Sequence, residues 1–506
     1  MRFLGSIGLA LALVAAPLYA QDKKPVATAA DKDKAADPVE KIIPQKHSTR
    51  LSGTFGGQRV NYTATIGEMI LAADDGTQKA AIVTTAYVKD GRDPARPVTF
   101  LFNGGPGSGS VWLQMGAFGP KRVAIPSDAR DDGAPPYPIV DNPASLLDVT
   151  DLVFIDPPGT GFSHLIGKTE GKEFYGVTAD AKAVAEVIRR WLSDNNRWNS
   201  PHYLGGESYG TSRSAAVVNQ LANKTYNDVG LNGIILISTI LDFGAGADTP
   251  GNELSVITNL PSMAATALYH GKATSPSVEQ FTDEARAWAI GPYATFLLKG
   301  QKASPQERAA IRRQLAHFTG LPETYLEQAD LRVSPDRFYK ELLRDRGLTI
   351  GRLDTRYTGK DYDNAGEGPD NDPSFYGIDA GYTAAVNSWE RGTLGFVTDR
   401  EYQSISNIIR DWDWKIEGGR DTNAYLNLTP YLGTALRENK DLRIFVGQGY
   451  YDFATPFFAA EYALSRTGIP QDRVEFHYYH AGHMVYIRDE DRAKLAADVR
   501  AFIRNR

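Results

Sequence analysis

The chain has 506 residues, 42% hydrophobic and 23% charged, a balance that belongs to a globular protein and excludes a disordered or membrane-embedded one. A net charge of −6 and a sequence pI near 5.8 leave no basic footprint for nucleic acid. Cysteine is absent, which excludes disulfides, thiolate metal sites and cysteine-based catalysis.

The N-terminus reads as an export signal. Met1-Arg2 supply positive charge, Phe3 to Pro17 form an apolar run, and Leu18-Tyr19-Ala20 ends in a small residue before Gln21-Asp22-Lys23. That order predicts a signal peptide over 1–20. The run is shorter than the ~20 residues a membrane span needs, and no later stretch is long and apolar enough to cross. Residues 21–47, rich in Lys, Asp, Ala and Pro, predict a flexible leader that cannot bury enough surface to offset its ordering entropy.

From there the elements follow in order. Arg59–Ile66, Glu68–Ala73 and Ala80–Lys89 are β-rich and predict an antiparallel meander. After Pro97 come short, largely apolar runs suited to strands buried on both faces: Val98–Phe102, Leu152–Ile155, Tyr203-Leu204 and Ile234–Ile237. Amphipathic helices are predicted between some of them, at Ala179–Ser193 and Ser212–Asn223. Strands alternating with helices give a mostly parallel sheet. The alternation stops from Asp242 to Asp441. There Val278–Ile290, stopped by Gly291-Pro292, Gln306–Phe318 and Asp336–Arg346 read as helices, followed by a looser stretch over Asp361–Gly381. Strands resume at Leu442–Val446 and Val474–Tyr478, and Arg492–Arg504 closes the chain as a helix. The expected organisation is a core over 48–242 and 441–506, interrupted by a mainly helical cap over 243–440.

The strongest local signal is Gly206-Glu207-Ser208-Tyr209-Gly210. It follows a strand and opens a helix, the context of a nucleophile elbow, in which glycines permit a sharp turn that exposes the serine. The helix start beneath it favours developing negative charge. A serine hydroxyl needs a base, and in this arrangement an acid and then a histidine follow it along the chain. Of eight histidines, His477, His480 and His483 come late enough. His477 falls within a strand and His480 at its end. His483 falls in the loop beyond, where an imidazole can reach back over the sheet edge, and His480 is the reserve. Asp452, after Val446-Gly447-Gln448-Gly449, is the expected acid that orients the imidazole; a helix-capping role is its alternative. Asn103-Gly104-Gly105-Pro106-Gly107 follows a strand, and its glycines let main-chain amides approach a substrate. Gly105 and Tyr209 amides would form the oxyanion hole.

Together these segments resemble the serine carboxypeptidase family. The matching stretches are Asn103–Ser110, Phe118-Gly119-Pro120, Asn142-Pro143-Ala144-Ser145, Ile155–Ser163, the elbow, the Asp452 loop through Pro456, and Ala481-Gly482-His483-Met484. The resemblance implies an α/β-hydrolase fold and an enzyme that removes single residues from peptide C-termini. It also implies that Asn103 and a protonated Glu207, with the Gly104 amide, hold the substrate carboxylate; two carboxyl groups can meet only by sharing a proton. Three positions depart from the family pattern. Ala117 stands where an acid often partners the elbow glutamate, Leu101 where tryptophan is common, and Ser108 replaces a cysteine.

The expected function is therefore a serine carboxypeptidase using Ser208, His483 and Asp452, needing no metal or organic cofactor, with peptides as its partners. An esterase or acyltransferase shares this machinery, since the acceptor pocket decides between them. A catalytically inactive binding protein is the alternative from another class. The export signal and the lack of cysteine point to a bacterial-type member, secreted or periplasmic.

Overall fold

The computed structural model describes residues 41–91, 93–222, 227–416, 425–466 and 468–505, so the expected export signal and the leader up to residue 40 lie outside the described residues. An antiparallel meander comes first: β1 (Lys46–Phe55), β2 (Gln58–Ala72) and β3 (Gln78–Lys89). Two boundaries differ from expectation. Gly67 does not divide β2, because it is paired on both sides, with Lys46 in β1 and Thr84 in β3. Ladder pairing outweighs the poor strand propensity of one glycine. By the same pairing, residues 46–47 belong to β1 rather than to the leader.

Six further strands complete the main sheet: β4 (Val98–Phe102), β5 (Asp151–Ile155), β6 (His202–Ser208), β7 (Gly233–Thr239), β8 (Arg443–Gly449) and β9 (Val474–Tyr479). They lie in the order β1-β2-β3-β5-β4-β6-β7-β8-β9, with the two-residue strand His164–Leu165 added beside β3. Every neighbouring pair from β5 to β9 is parallel, while β3 meets β5 antiparallel. This is an α/β-hydrolase fold.

The helices explain why the central strands are apolar throughout. α1 (Val177–Asp194) and α2 (Tyr209–Ala222) follow β5 and β6. In the stretch 243–440 come α3 (Glu253–Tyr269), α4 (Val278–Trp288), α5 (Pro305–Thr319), α6 (Asp379–Asn387) and α7 (Thr429–Glu438). The C-terminal helix α8 spans Asp489–Arg504, beyond a shorter helix at Phe457–Leu464. Alternate strand residues feed two cores, as a pleat of period two requires. Phe100, Ile234 and Leu236 pack with α1, α2 and α7, whereas Leu101, Ile235 and Ile237 pack with α8.

The stretch 243–440 is physically composite. α3, α4 and α5 enclose an apolar cluster of their own, with Leu260, Phe281 and Phe318 at its centre. Tyr382, Trp389 and Tyr402 instead join the core on the α8 face. The helix expected to stop at Gly291-Pro292 runs on: a wider π turn over Ala289–Tyr293 carries it into a further helix at Ala294–Lys299. Proline lacks the amide for an ordinary helical bond and crowds the carbonyl four residues back, and the wider turn relieves both. The helix expected at 336–346 is shorter, Pro335–Glu341, with a separate turn at Arg344–Arg346.

Candidate active site

β6 ends at Ser208, whose φ of 61° lies in the left-handed region that a serine rarely adopts. The turn is so tight that a side chain on Gly206 would collide with the Gly210 carbonyl, and one on Gly104 with the Tyr209 amide. The elbow is thus pressed against the loop after β4. Among the described residues, no turn or loop hydrogen bond takes the Gly105 or Tyr209 amide. Both residues line, with Ser208 and His483, a cavity of about 730 Å³.

His483 lies in the loop after β9. Its ring Nδ1 is 2.9 Å from Asp452 Oδ2, and both side chains are buried. Asp452 sits in the loop after β8, where Thr455 donates to it twice, from its amide at 2.9 Å and from its hydroxyl at 2.6 Å. The expected helix-capping alternative is not what occupies Asp452: the following helix begins at Phe457 and its cap position is Pro456. Burial pulls the His483 pKa down, but the charge and hydrogen bond of Asp452 outweigh it and leave the imidazole above its usual value. Among the described residues no hydrogen bond joins Ser208 to His483; the two share the cavity wall, and such contacts often close only when substrate is bound.

His480 and His477 are elsewhere. His480 pairs with Glu279 at 2.9 Å. His477 stacks on Phe445 with ring centres 4.5 Å apart and lies between Glu475 and Asp498.

Asn103 and Glu207 are brought together beside Ser208. Asn103 Nδ2 donates to Glu207 Oε1 at 3.1 Å, and Asn103 Oδ1 accepts from the Leu113 amide at 3.0 Å. Burial pushes the Glu207 carboxyl up to about 7, against the charge of His483 and the nearby Tyr486 hydroxyl. Glu207 Oε2 and the Tyr486 hydroxyl, both buried, face one another outside ordinary hydrogen-bond geometry. Ala117, where an acid often stands in the resembled family, is buried in the apolar core. Gly104 lines the cavity next to this pair.

Several supporting residues were not anticipated. The Leu353 carbonyl accepts from the His483 amide at 2.6 Å, the Ser238 hydroxyl donates to the His483 carbonyl at 2.5 Å, and Asp354 accepts from the Gly482 amide at 3.2 Å. Arg213 donates to the Asn103 carbonyl while paired with Asp180 at 2.6 Å, all of it buried. Leu353 and Asp354 lie in a stretch without a motif, so nothing marked them. Arg213 did leave a trace, as a charge among the small and apolar residues of α2. Among the described residues no group of three or more His, Asp or Glu is placed to hold a metal ion.

The arrangement can activate a hydroxyl, stabilise an oxyanion with main-chain amides, and offer a neutral carboxyl plus an amide to a substrate oxyanion or carboxylate. Comparison with known proteins agrees in part. The serine carboxypeptidase family profile matches residues 86–262, which include Asn103, Glu207 and Ser208 but not Asp452 or His483. Two Arabidopsis thaliana proteins, serine carboxypeptidase-like 13 and serine carboxypeptidase-like 3, are each 27% identical over 31% of this chain, covering 35% and 36% of their own lengths. The chain therefore spans about a third of the length of these curated relatives. They are plant proteins and lend no support to a bacterial-type placement. Solved structures that align include an esterase from Rhodococcus sp. ECU1013, 13% identical with a TM-score of 0.35 over 87% of this chain and 98% of that one. An Aspergillus niger epoxide hydrolase aligns at 12% identity and a TM-score of 0.35, over 87% of this chain and 78% of that one. Scores this low carry no argument, and the fold rests on the strand order.

Proposed function

We propose that this protein is a serine-type carboxypeptidase that releases C-terminal residues from peptides through an acyl-enzyme on Ser208. The observation that carries the reading is the pairing of two devices in one cavity: Ser208 beside the His483–Asp452 pair, and Asn103 bonded to a carboxyl raised to about 7. In this mechanism Ser208 Oγ attacks the scissile carbonyl as His483 takes its proton, and Asp452 holds the imidazole and stabilises its charged form. The Gly105 and Tyr209 amides hold the oxyanion. His483 then protonates the leaving amine, and water, deprotonated by the same ring, attacks the ester and restores Ser208. Glu207, protonated, donates to the free carboxylate of the substrate while Asn103 and the Gly104 amide supply further donors.

The stretch 243–440 would act as a lid that sets side-chain preference, since Arg352, Leu353, Phe375 and Asp379 contribute to the cavity wall. We also propose export, secreted or periplasmic, through residues 1–20; N-terminal sequencing of the native protein should begin after Ala20.

The absence of an acid at position 117 favours an esterase as the second reading, because a lone buried Glu207 is a weaker carboxylate anchor. The test is turnover of a blocked dipeptide, its C-terminal amide and the matching ester, combined with fluorophosphonate labelling and mapping of the modified serine. Strong preference for the free carboxylate with label on Ser208 supports the carboxypeptidase. Label on Ser208 with ester-only turnover leaves an esterase, and no label leaves an inactive binding protein.

A further inference from the structure

The acids of the cavity wall differ in what answers them. Asp372 accepts from the amides of Arg352 at 3.0 Å, Leu353 at 3.2 Å and Ser374 at 2.9 Å. Glu207 is met on one oxygen, where Asn103 Nδ2 donates to Oε1 at 3.1 Å. Its Oε2 is closed to the cavity and faces the Tyr486 hydroxyl, which turns towards Asn103 as well. That hydroxyl makes no ordinary hydrogen bond of its own. A buried phenol and a buried carboxyl oxygen are each costly when unmet, and each can supply what the other lacks.

Packing fixes the phenol in that place. Tyr486 stands in the short turn Val485–Ile487, just after His483, and is 1% exposed. Its ring lies against Gly116, where any side chain would collide with it and with the Tyr382 hydroxyl. Trp112, in the cavity wall, packs on Tyr382 of α6 at 4.6 Å. The turn that carries Gly116, Leu113–Phe118, brings no acid to Glu207, and its polar side chain, Gln114, is committed to Tyr87 and Glu390. The titratable groups that do face Glu207 are His483 and Asp452, in the loops after β9 and β8, and the phenols of Tyr486 and Tyr382.

Burial pushes the Tyr486 phenol well above its usual value, so it stays neutral and keeps its one proton to give. We propose that Tyr486 is a positioning residue for carboxylate recognition, its hydroxyl closing onto Glu207 Oε2 in place of a second acid; this rests on the carboxypeptidase reading. With Oε2 engaged as an acceptor, the proton that Glu207 carries is confined to Oε1. There, beside Asn103, the two side chains can meet a substrate carboxylate together. Without the phenol the proton is free to settle on Oε2, which is closed to the cavity. A second carboxyl would share a proton with Glu207 and repel it on ionising. A neutral phenol instead favours the ionised form and opposes the effect of burial.

The test compares the pH dependence of kcat/KM for a blocked dipeptide with a free carboxylate and for an ester without one. Removing a donor to the ionised form raises the Glu207 pKa. Tyr486→Phe should therefore move the alkaline limb of the peptide profile up by about one pH unit, the worth of one hydrogen bond to a charged group. It should also lower the peptide plateau several-fold, while the ester profile keeps its position on the pH axis. With Glu207→Gln in place, adding Tyr486→Phe should lower the peptide-to-ester ratio no further. If Tyr486→Phe does not fold, a ring-fluorinated tyrosine at position 486, a stronger donor of nearly the same shape, should move the limb down instead. An unmoved limb, peptide and ester profiles that shift together, or an equal loss of ratio with and without Glu207 overturns the inference and leaves the carboxypeptidase standing. If fluorophosphonate labels Ser208 but the dipeptide is not cleaved, the carboxypeptidase reading falls and this inference with it.

Discussion

The two ends of the cavity differ in how completely their polar groups are paired. At the His483 end, Asp452 receives both Thr455 donors and the ring, while Leu353, Ser238 and Asp354 hold the loop backbone. At the Glu207 end pairing is looser: Asn103 holds one carboxyl oxygen, and the other is left facing the Tyr486 hydroxyl outside ordinary hydrogen-bond geometry. The lesson is about preorganisation. A group that must hold one geometry through every turnover is saturated by the protein itself. Groups that recognise a ligand are left short of partners that the ligand brings, and rejection of ligands lacking those partners follows from the same deficit.

Breaking the saturated end should have the largest effects. Ser208→Ala is expected to lower kcat by as much as ~10⁶, measured on whichever substrate class the enzyme turns over; undiminished turnover would remove Ser208 from the mechanism. Asp452→Asn should cost about 10⁴ in kcat, because an amide favours the wrong imidazole tautomer even with the geometry kept. Next in size is the recognition end, read by pH. Glu207 must be protonated to meet a carboxylate, so kcat/KM for free-carboxylate peptides should fall as pH rises through about 7, by roughly tenfold per unit beyond it. The raised His483 pKa acts on the other side, since the imidazole must lose its proton to serve as base, and it narrows the profile from below. Esters without a carboxylate should lack the alkaline fall, and Glu207→Gln should abolish it for peptides. A peptide profile as flat as the ester profile would deny Glu207 this role. The smallest change is Thr455→Val, which removes one of the two Thr455 donors to Asp452. It should lower stability by ~1–3 kcal/mol in denaturant titration, with a modest loss of kcat, whereas the same loss spread over both ends would argue against the contrast.

How much of this could be read in advance differs by element. The buried strands were legible because runs such as Phe100-Leu101-Phe102 and Ile234–Ile237 must feed an apolar core on both faces. Ser208 was legible because its strained turn demands glycines at 206 and 210. His483 and Asp452 followed from their places after the last strands, and they meet at 2.9 Å. β1 was missed as a strand, and its first two residues were read as leader, since a half-exposed edge strand with polar alternation resembles a loop until its partner is known. Gly291-Pro292 misled in the other direction, because a local stop signal was overridden by α4 packing against α3 and by the apolar residues flanking the turn. Asp372 and Asp379 carried no signal, as an acid in a loop or first helical turn is ordinary in any sequence.

What the amino-acid order determined by itself was local: which segments are strands, where the chain must turn sharply, and which side chains have the chemistry to move a proton. These follow from backbone sterics and from the spacing of apolar residues, which act over a few positions. What only the tertiary structure decided was which carboxylates stay paired. Burial and hydrogen-bond partners come from residues far apart in the chain, as when Leu353 grips His483 and the Trp112 wall meets α6. Whether an aspartate is a cap or a brace depends on those distant neighbours.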